Sequence, residues 1–393
     1  MAKKVKDIFQ ELADKSGGTL LGNEPPVRYY IDSGNLAVNY LCSGKFFGGG
    51  FPGERIIEIL GPSSGGKSLW ACNLARGIQI LGGIPIYLDT ENALNPIFAA
   101  KASHLDPYKM VRITPKDGID CLERAFLKIH NIIRAVRERG NDSPLLFIYD
   151  SIAVSPSERE LSETYLSENF TEKEWKSVVG NKEQPGERAK ICNKEFRKLE
   201  GVLSKNNATL LVVNQVRQKI GVRYGNPEVG STASTVLEFY SCVRLRLSAH
   251  KKIENKLKKI IGVNLKVKNI KNRLFTPFVV AENVQLFYEK GVNPLSGLLT
   301  LLLQEGRITT SGKGTYAIKE PWASGQEITF RANKTNNTID AETLLKCPAL
   351  VDAKDESEVQ TYLDTFSEAI NHSLSDDVVE RELNDEEMDE SEE

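Results

Sequence analysis

Gly61-Pro-Ser-Ser-Gly-Gly-Lys67-Ser68 stands between the apolar run Arg55-Ile-Ile-Glu-Ile-Leu60 and an amphipathic stretch from Lys67 to Leu81. A strand, a glycine-rich turn and a helix in this order form the G-x-x-x-x-G-K-S pattern that cradles phosphates. The physical reason lies in the backbone. Glycines let successive N–H groups turn inward around phosphate oxygens, and the helix N-terminus behind them adds positive potential. Gly61, Pro62, Ser63, Ser64, Gly65 and Gly66 are therefore candidate phosphate contacts. Lys67 reaches the outer phosphates, and the Ser68 hydroxyl is a magnesium ligand.

Outward from this loop, strand-like and helical patterns alternate from about residue 30 to residue 290. Strands are expected at Arg55 to Leu60, Ile84 to Leu88, Leu145 to Tyr149 and Thr209 to Val213, and helices at Lys67 to Leu81 and Gly118 to Arg139. Such alternation implies an α/β fold with a mostly parallel sheet, covered on both faces, whose ligands gather at the carboxyl ends of the strands. Asp150 ends the run Leu145-Leu-Phe-Ile-Tyr149 and is placed to hold the water shell of a magnesium ion. Asp at a strand end also caps helices, and it is the phosphate loop that favours the metal role. Glu91, in Asp89-Thr-Glu91-Asn92, closes the first crossover and is the candidate general base for the attacking water. Spacing alone leaves it equally a cap for the stretch from Asn92 to Ala100. Asn214-Gln215 ends the next strand and is a candidate sensor of a γ-phosphate, although most strand-end glutamines have no such role.

The chain has 393 residues, 40% of them hydrophobic and 26% charged, close to soluble averages. Its longest apolar runs fall far short of the roughly 18 to 20 residues that a bilayer span needs. With the charged start Met1-Ala-Lys-Lys, this gives the expectation of a cytoplasmic protein with no membrane association. Cys42, Cys72, Cys121, Cys192, Cys242 and Cys347 are scattered, with no C-x-x-C pair, so reduced buried thiols are expected rather than a zinc site. The net charge of -2 hides a strong division: residues 352 to 393 carry 17 Asp or Glu against Lys354 and Arg381, leaving about +13 on the rest. Between Lys251 and Arg273 lie nine Lys or Arg and a single acid, Glu254. An acidic end after a basic body is the pattern of a tail that competes with a polyanion for one surface.

Four segments follow. Residues 1–30 hold an N-terminal helix with Val5, Ile8, Phe9 and Leu12 on one stripe, and a linker; 31–291 form the core; 292–351 form a small C-terminal α+β subdomain; 352–393 form an acidic disordered tail.

Several segments in series resemble the RecA family of ATP-dependent homologous recombinases. They are Ile31-Asp-Ser-Gly-Asn-Leu-Ala-Val-Asn-Tyr40; Gly48-Gly-Gly-Phe-Pro-Gly-Glu-Arg55 running into the phosphate loop; Asn214-Gln-Val-Arg-Gln-Lys-Ile-Gly-Val-Arg-Tyr-Gly-Asn-Pro-Glu228; Leu237-Glu-Phe-Tyr240 with Val243-Arg-Leu-Arg246; and Lys271-Asn-Arg-Leu-Phe-Thr-Pro-Phe278. The resemblance covers most of residues 30 to 295. It implies a RecA-like P-loop ATPase core that uses ATP and Mg²⁺. It also implies Glu91 as the water-activating carboxylate, Gln215 as the switch from γ-phosphate to the DNA loop, and Phe98 as the adenine platform. Residues 216 to 231 are then the mobile DNA-facing loop. In it Arg217, Lys219 and Arg223 suit phosphates, while Ile220, Val222 and Tyr224 can insert between bases. Lys271 and Arg273 match cations that reach the phosphates of a neighbouring protomer.

The implied function is a DNA-dependent ATPase that polymerises on single-stranded DNA as a helical filament and exchanges strands with duplex DNA, working with a single-strand-binding protein and a loading mediator. Asn95 departs from the family, which usually has Asp near the adenine, and residues 157 to 187 are longer than the family's first DNA loop. Trp322 to Asn337, with Phe330-Arg-Ala-Asn-Lys-Thr-Asn-Asn, is similar to the UvsX-type recombinases of T4-like bacteriophages, which would place the chain in a host cytoplasm. A ring-forming replicative helicase of the same core, a noncatalytic recombination mediator and, more distantly, a small-molecule kinase are the competing readings. The complete set Lys67, Ser68, Glu91 and Asp150 speaks against a dead site, and the run from Asn214 to Glu228 against the helicase.

Overall fold

The structure is a computed structural model that describes residues 2–23, 27–63, 65–165, 186–218, 228–230, 233–323, 327–332, 338–367, 370 and 378–382. In chain order its elements begin with helix α1 (Ala2–Ser16), strand β1 (Tyr30–Ile31), α2 (Leu36–Ser43), β2 (Phe51–Pro52), β3 (Ile56–Gly61), α3 (Lys67–Ile80), β4 (Ile84–Asp89) and α4 (Pro96–Ser103). Then come β5 (Val111–Ile113), α5 (Leu122–Glu138), β6 (Leu145–Asp150), α6 (Glu158–Tyr165), α7 (Glu187–Lys205), β7 (Ala208–Gln218), β8 (Glu228–Gly230) and α8 (Ser234–Tyr240). Three long strands follow, β9 (Val243–Asn255), β10 (Ile260–Asn272) and β11 (Val280–Phe287), then β12 (Gly291–Val292) and α9 (Leu298–Gln304). The last are β13 (Ile308–Gly312), β14 (Thr315–Ile318), β15 (Ile328–Arg331), α10 (Ala341–Lys346), α11 (Glu356–Thr365) and β16 (Val378–Glu382).

The near-continuous apolar runs of β3, β4 and β6 are those of parallel strands buried on both faces. The sheet order is β12-β11-β10-β9-β3-β7-β6-β4-β5, parallel from β9 through β3, β7, β6 and β4 to β5 and antiparallel from β9 to β12. Alternation along each strand divides the core. Ile57, Ile59, Ile148 and Leu211 meet α3 on one face, while Ile56, Phe147, Tyr149 and Leu210 meet Phe126, Ile129, Phe196 and Leu199 of α5 and α7 on the other. The expected strands and helices are present with ends shifted by no more than five residues, the largest shift being the extension of β7 to Gln218. All six cysteines are free and buried.

Two expectations change at the C-terminal end. The small three-stranded sheet β13-β14-β15 shares its hydrophobic cluster with the main core through Ile308, Ile318 and Phe330, and the same cluster continues through Val359, Leu363 and Phe366. The structure therefore carries the packed body past residue 351. Asp352 to Glu393 is not disordered throughout: α11 is capped by the Asp355 side chain, Tyr362 donates to Asp32, and the Arg76 guanidinium lies 4.3 Å from the Phe366 ring centroid. Further on, β16 pairs antiparallel with β9, with Val378 opposite Asn255 and Glu382 opposite Lys251. That edge is available because β3 pairs β9 only as far as Arg246, so β9 and β10 run on beyond the sheet as a basic two-stranded arm.

Candidate nucleotide site

The phosphate loop is the turn from β3 into α3, and two of its glycines have no substitute. Gly66 has φ +78, and a β-carbon on it would stand 2.5 Å from Leu286 Cδ2. A β-carbon on Gly61 would stand 2.4 Å from the Leu247 carbonyl oxygen. Lys67 opens α3 almost fully buried, its Nζ donating to the Pro62 carbonyl. Burial pulls its ammonium below the usual range, opposed by the charges of Asp150 and Glu91. Ser64 lies outside the described residues.

Asp150 ends β6 directly beside Asp89 at the end of β4. Burial pushes its carboxyl up, and hydrogen bonds from Ser68 and Tyr87 draw it down. A hydroxyl and a carboxylate lining one cavity beside the phosphate loop are the hard-oxygen donors that magnesium takes from a protein when phosphates and water supply the rest. Among the described residues no cluster of three or more His, Cys, Asp or Glu could hold a metal by itself.

Glu91 is exposed and held by two neighbours on one oxygen: Ser151 Oγ donates to Oε1 at 2.5 Å and Gln215 Nε2 at 3.2 Å. Gln215 arrives there because β7 lies parallel to β3 with Gln215 opposite Gly61. The capping alternative for Glu91 is not what the structure shows. Helix α4 is capped by Asn95, whose Oδ1 accepts from Ile97 N at 3.0 Å and Phe98 N at 3.1 Å, while Asp89 accepts from Ala93 N and Leu94 N. Asn95 and Phe98 do line the site, bordering a cavity of about 180 Å³ together with Ser68, Leu94 and Asp150. A larger cavity of about 630 Å³ lies at the far end of α3 against α11 and touches none of these residues. Lys67, Ser68, Glu91, Asp150 and Gln215 thus converge at the carboxyl ends of β3, β4, β6 and β7.

Lys271 and Arg273 do not join them. Lys271 is in register with Arg244, Arg273 N donates to the Cys242 carbonyl, and Cys242 N donates to Ile56 at the start of β3. That end is about 16 Å from Gly61 at roughly 3.3 Å per residue. Lys271 Nζ donates to the Glu238 and Phe239 carbonyls, and Arg273 Nη2 donates to Phe239 as well. Burial and the adjacent Arg273 and Arg244 charges hold the Lys271 ammonium below its usual range.

The segment expected to face DNA starts as a β-hairpin. Strand β7 runs past Gln215 to Gln218 and pairs with β8, Arg217 opposite Val229. Arg217 belongs to this stem. Lys219, Ile220, Val222, Arg223 and Tyr224 lie outside the described residues, as do residues 166 to 185 of the other expected DNA loop.

The model of the RecA N-terminal domain matches residues 8–163 and 168–293 of the chain. The chain belongs to the RecA family. It is similar to Protein RecA of a Picosynechococcus species, with 34% identity over 282 residues, 72% of each chain. To Protein RecA of Mycoplasma mycoides subsp. mycoides SC it is 32% identical over 319 residues, 79% of this chain and 82% of that one. To Protein RecA of Thermus aquaticus it is 31% identical over 309 residues, 78% and 81%. The RecA fold expected from the sequence is the one observed.

Around the RecA-family site stand residues that sequence reasoning missed. Thr90 binds the Asp150 and Ser151 carbonyls, and Arg112 clamps Asp89 through Nε at 2.9 Å and Nη2 at 2.6 Å. Beneath Gln215, Asn214 Nδ2 donates to the fully buried Glu58 at 2.7 Å, and Glu58 pairs with Arg244. Glu58 carried the one available signal, an acid inside an apolar strand.

Proposed function

We propose that this RecA-family chain is a DNA-dependent ATPase that assembles as a helical filament on single-stranded DNA and carries out homologous pairing and strand exchange. The observation that carries this reading is the division of its site between the two ends of the sheet. Phosphate-binding and water-activating groups stand at the carboxyl ends of the strands, and Lys271 and Arg273 stand at the opposite end. Those cations are too far away to serve their own protomer's phosphates. Stacked head to tail, they meet the phosphates of the next one. Such a heterologous contact repeats without closing unless the rotation brings it round to a ring.

In the reaction ATP and water give ADP and phosphate. The loop N–H groups and Lys67 bind and orient the phosphates, and Glu91 takes the proton of the attacking water. Ser68 and Asp150 are the residues that would hold Mg²⁺, which when bound offsets charge on the phosphate oxygens. Asn95 and Phe98 border the adenine. Gln215 bonds to Glu91 and sits on the same continuous strand as Arg217, so a change at the γ-phosphate is passed along β7 to the DNA-facing loop of residues 219 to 227. We assign Arg217 of its stem, with Lys219 and Arg223 of the loop, to phosphates and Ile220, Val222 and Tyr224 to bases.

The exposed stripe of α1, with Ile8, Phe9 and Leu12 each more than half accessible, fits packing on an adjacent protomer. The pairing of β16 along the basic arm supports a tail that screens basic surface from duplex DNA. Among the described residues no helix is long and apolar enough to cross a membrane. We place the protein in the cytoplasm, a host's if the T4-like affinity of its C-terminal region holds, with a single-strand-binding protein and a loading mediator as partners.

The test is ATP hydrolysis with and without long single-stranded DNA at one fixed salt concentration, with electron microscopy of the same mixtures. DNA-stimulated turnover with helical filaments is expected. Closed rings would favour the helicase, and ATP binding without turnover or assembly the mediator.

A further inference from the structure

We infer that Tyr87 is a positioning residue for the magnesium side of this site: its hydroxyl fixes the Asp150 carboxylate. The inference rests on the nucleotide reading above and deepens it. Tyr87 lies inside β4, only 1% exposed, and its hydroxyl donates to Asp150 Oδ2. The direction of the bond is fixed by chemistry, because an ionised carboxylate only accepts and the phenol brings the single proton. Ser68 of α3 borders the same cavity as Asp150. The carboxylate is thus held from the neighbouring strand. Its backbone is clamped by the residue that follows β4, since the Asp150 carbonyl accepts from Thr90 N at 2.9 Å and from Thr90 Oγ1 at 3.0 Å.

A carboxylate at the end of a strand can otherwise turn about its last torsion, and a metal needs its oxygens in one plane and one place. Partners that orient a ligand in this way typically change metal affinity by 10- to 100-fold when removed. A buried aromatic in an apolar strand ordinarily packs, and Tyr87 does belong to the core cluster that faces α3. What sets it apart is where its one polar atom goes: the acid at the heart of the site.

The test separates positioning from packing. Tyr87→Phe keeps the ring and removes only the hydroxyl, and binding of a fluorescent N-methylanthraniloyl ATP is measured in EDTA and across a Mg²⁺ titration. The expected result is unchanged affinity in EDTA and a Mg²⁺ half-saturation raised about 10- to 100-fold. Asp150→Asn supplies the reference, and adding Tyr87→Phe to it should then cost nothing further. Equal weakening with and without Mg²⁺, or full additivity of the two substitutions, would overturn the inference and leave Tyr87 a packing residue. An unchanged Mg²⁺ half-saturation would overturn it too. Failure of the parent chain to bind the probe at all would instead sink the nucleotide reading on which it stands.

Discussion

Ser151 and Gln215 both donate to Glu91 Oε1, so the carboxylate proposed to activate water is oriented from β7 and from the turn after β6 before any substrate contact is considered. Replacing Glu91 by Gln keeps the shape and removes the base. It should lower kcat by roughly 10² to 10⁴ while ATP binding stays near the parent value, read from single-turnover hydrolysis beside nucleotide affinity. The Glu58–Arg244 pair makes a stability prediction instead. Glu58 is fully buried and Arg244 nearly so, and Arg244→Ala would strand a charge in the sheet. A loss of about 3 to 5 kcal/mol is expected in denaturant unfolding. At this scale Lys67, Ser68 and Asp150 were legible because their chemistry needs a fixed spacing from a strand end. Tyr87, Thr90 and Ser151 were not, because a tyrosine or hydroxyl residue near a buried strand reads as packing or as a turn until its partner is seen.

At the scale of elements, the central strands were legible because parallel strands buried on both faces leave apolar runs. The arm of β9 and β10 was visible only as a run of basic charge, since its thirteen-residue strands outlast the sheet they start in. The tail was read too simply. Its many acids argued for disorder, yet Val359, Leu363 and Phe366 recur at helical spacing and are buried. Removal of residues 371 to 393 takes away β16 without touching α11. Duplex DNA affinity should rise, with a steeper dependence on salt as the basic arm becomes free to contact phosphates. Unchanged affinity across the salt titration would remove the screening role. Helix α1 offers the complementary case. Phe9 and Leu12 are 56% and 58% exposed, so Phe9→Glu with Leu12→Glu should move stability by no more than about 0.5 kcal/mol per site. Assembly, followed by light scattering, should be lost.

At the scale of the whole molecule, strand direction explains why the candidate groups divide between the two ends of the sheet. A parallel sheet puts every strand's carboxyl end on one side, and β7, β6 and β4 deliver Gln215, Asp150 and Glu91 there. The antiparallel return of β10 carries Lys271 and Arg273 back to the opposite side. Sequence alone could place both sets in order, but not on opposite ends, because that follows from strand direction and register. The central claim is therefore that turnover is completed between protomers, and it is tested most directly by mixing two disabled chains on single-stranded DNA. One carries Lys67→Ala with Glu91→Gln, the other Lys271→Ala with Arg273→Ala. Each alone should be nearly inactive. Mixed, they should regain a substantial fraction of hydrolysis, because some interfaces then join an intact phosphate site to intact cations. A mixture no more active than the separate chains, or a full rate from the Lys271→Ala, Arg273→Ala chain alone, would contradict the account.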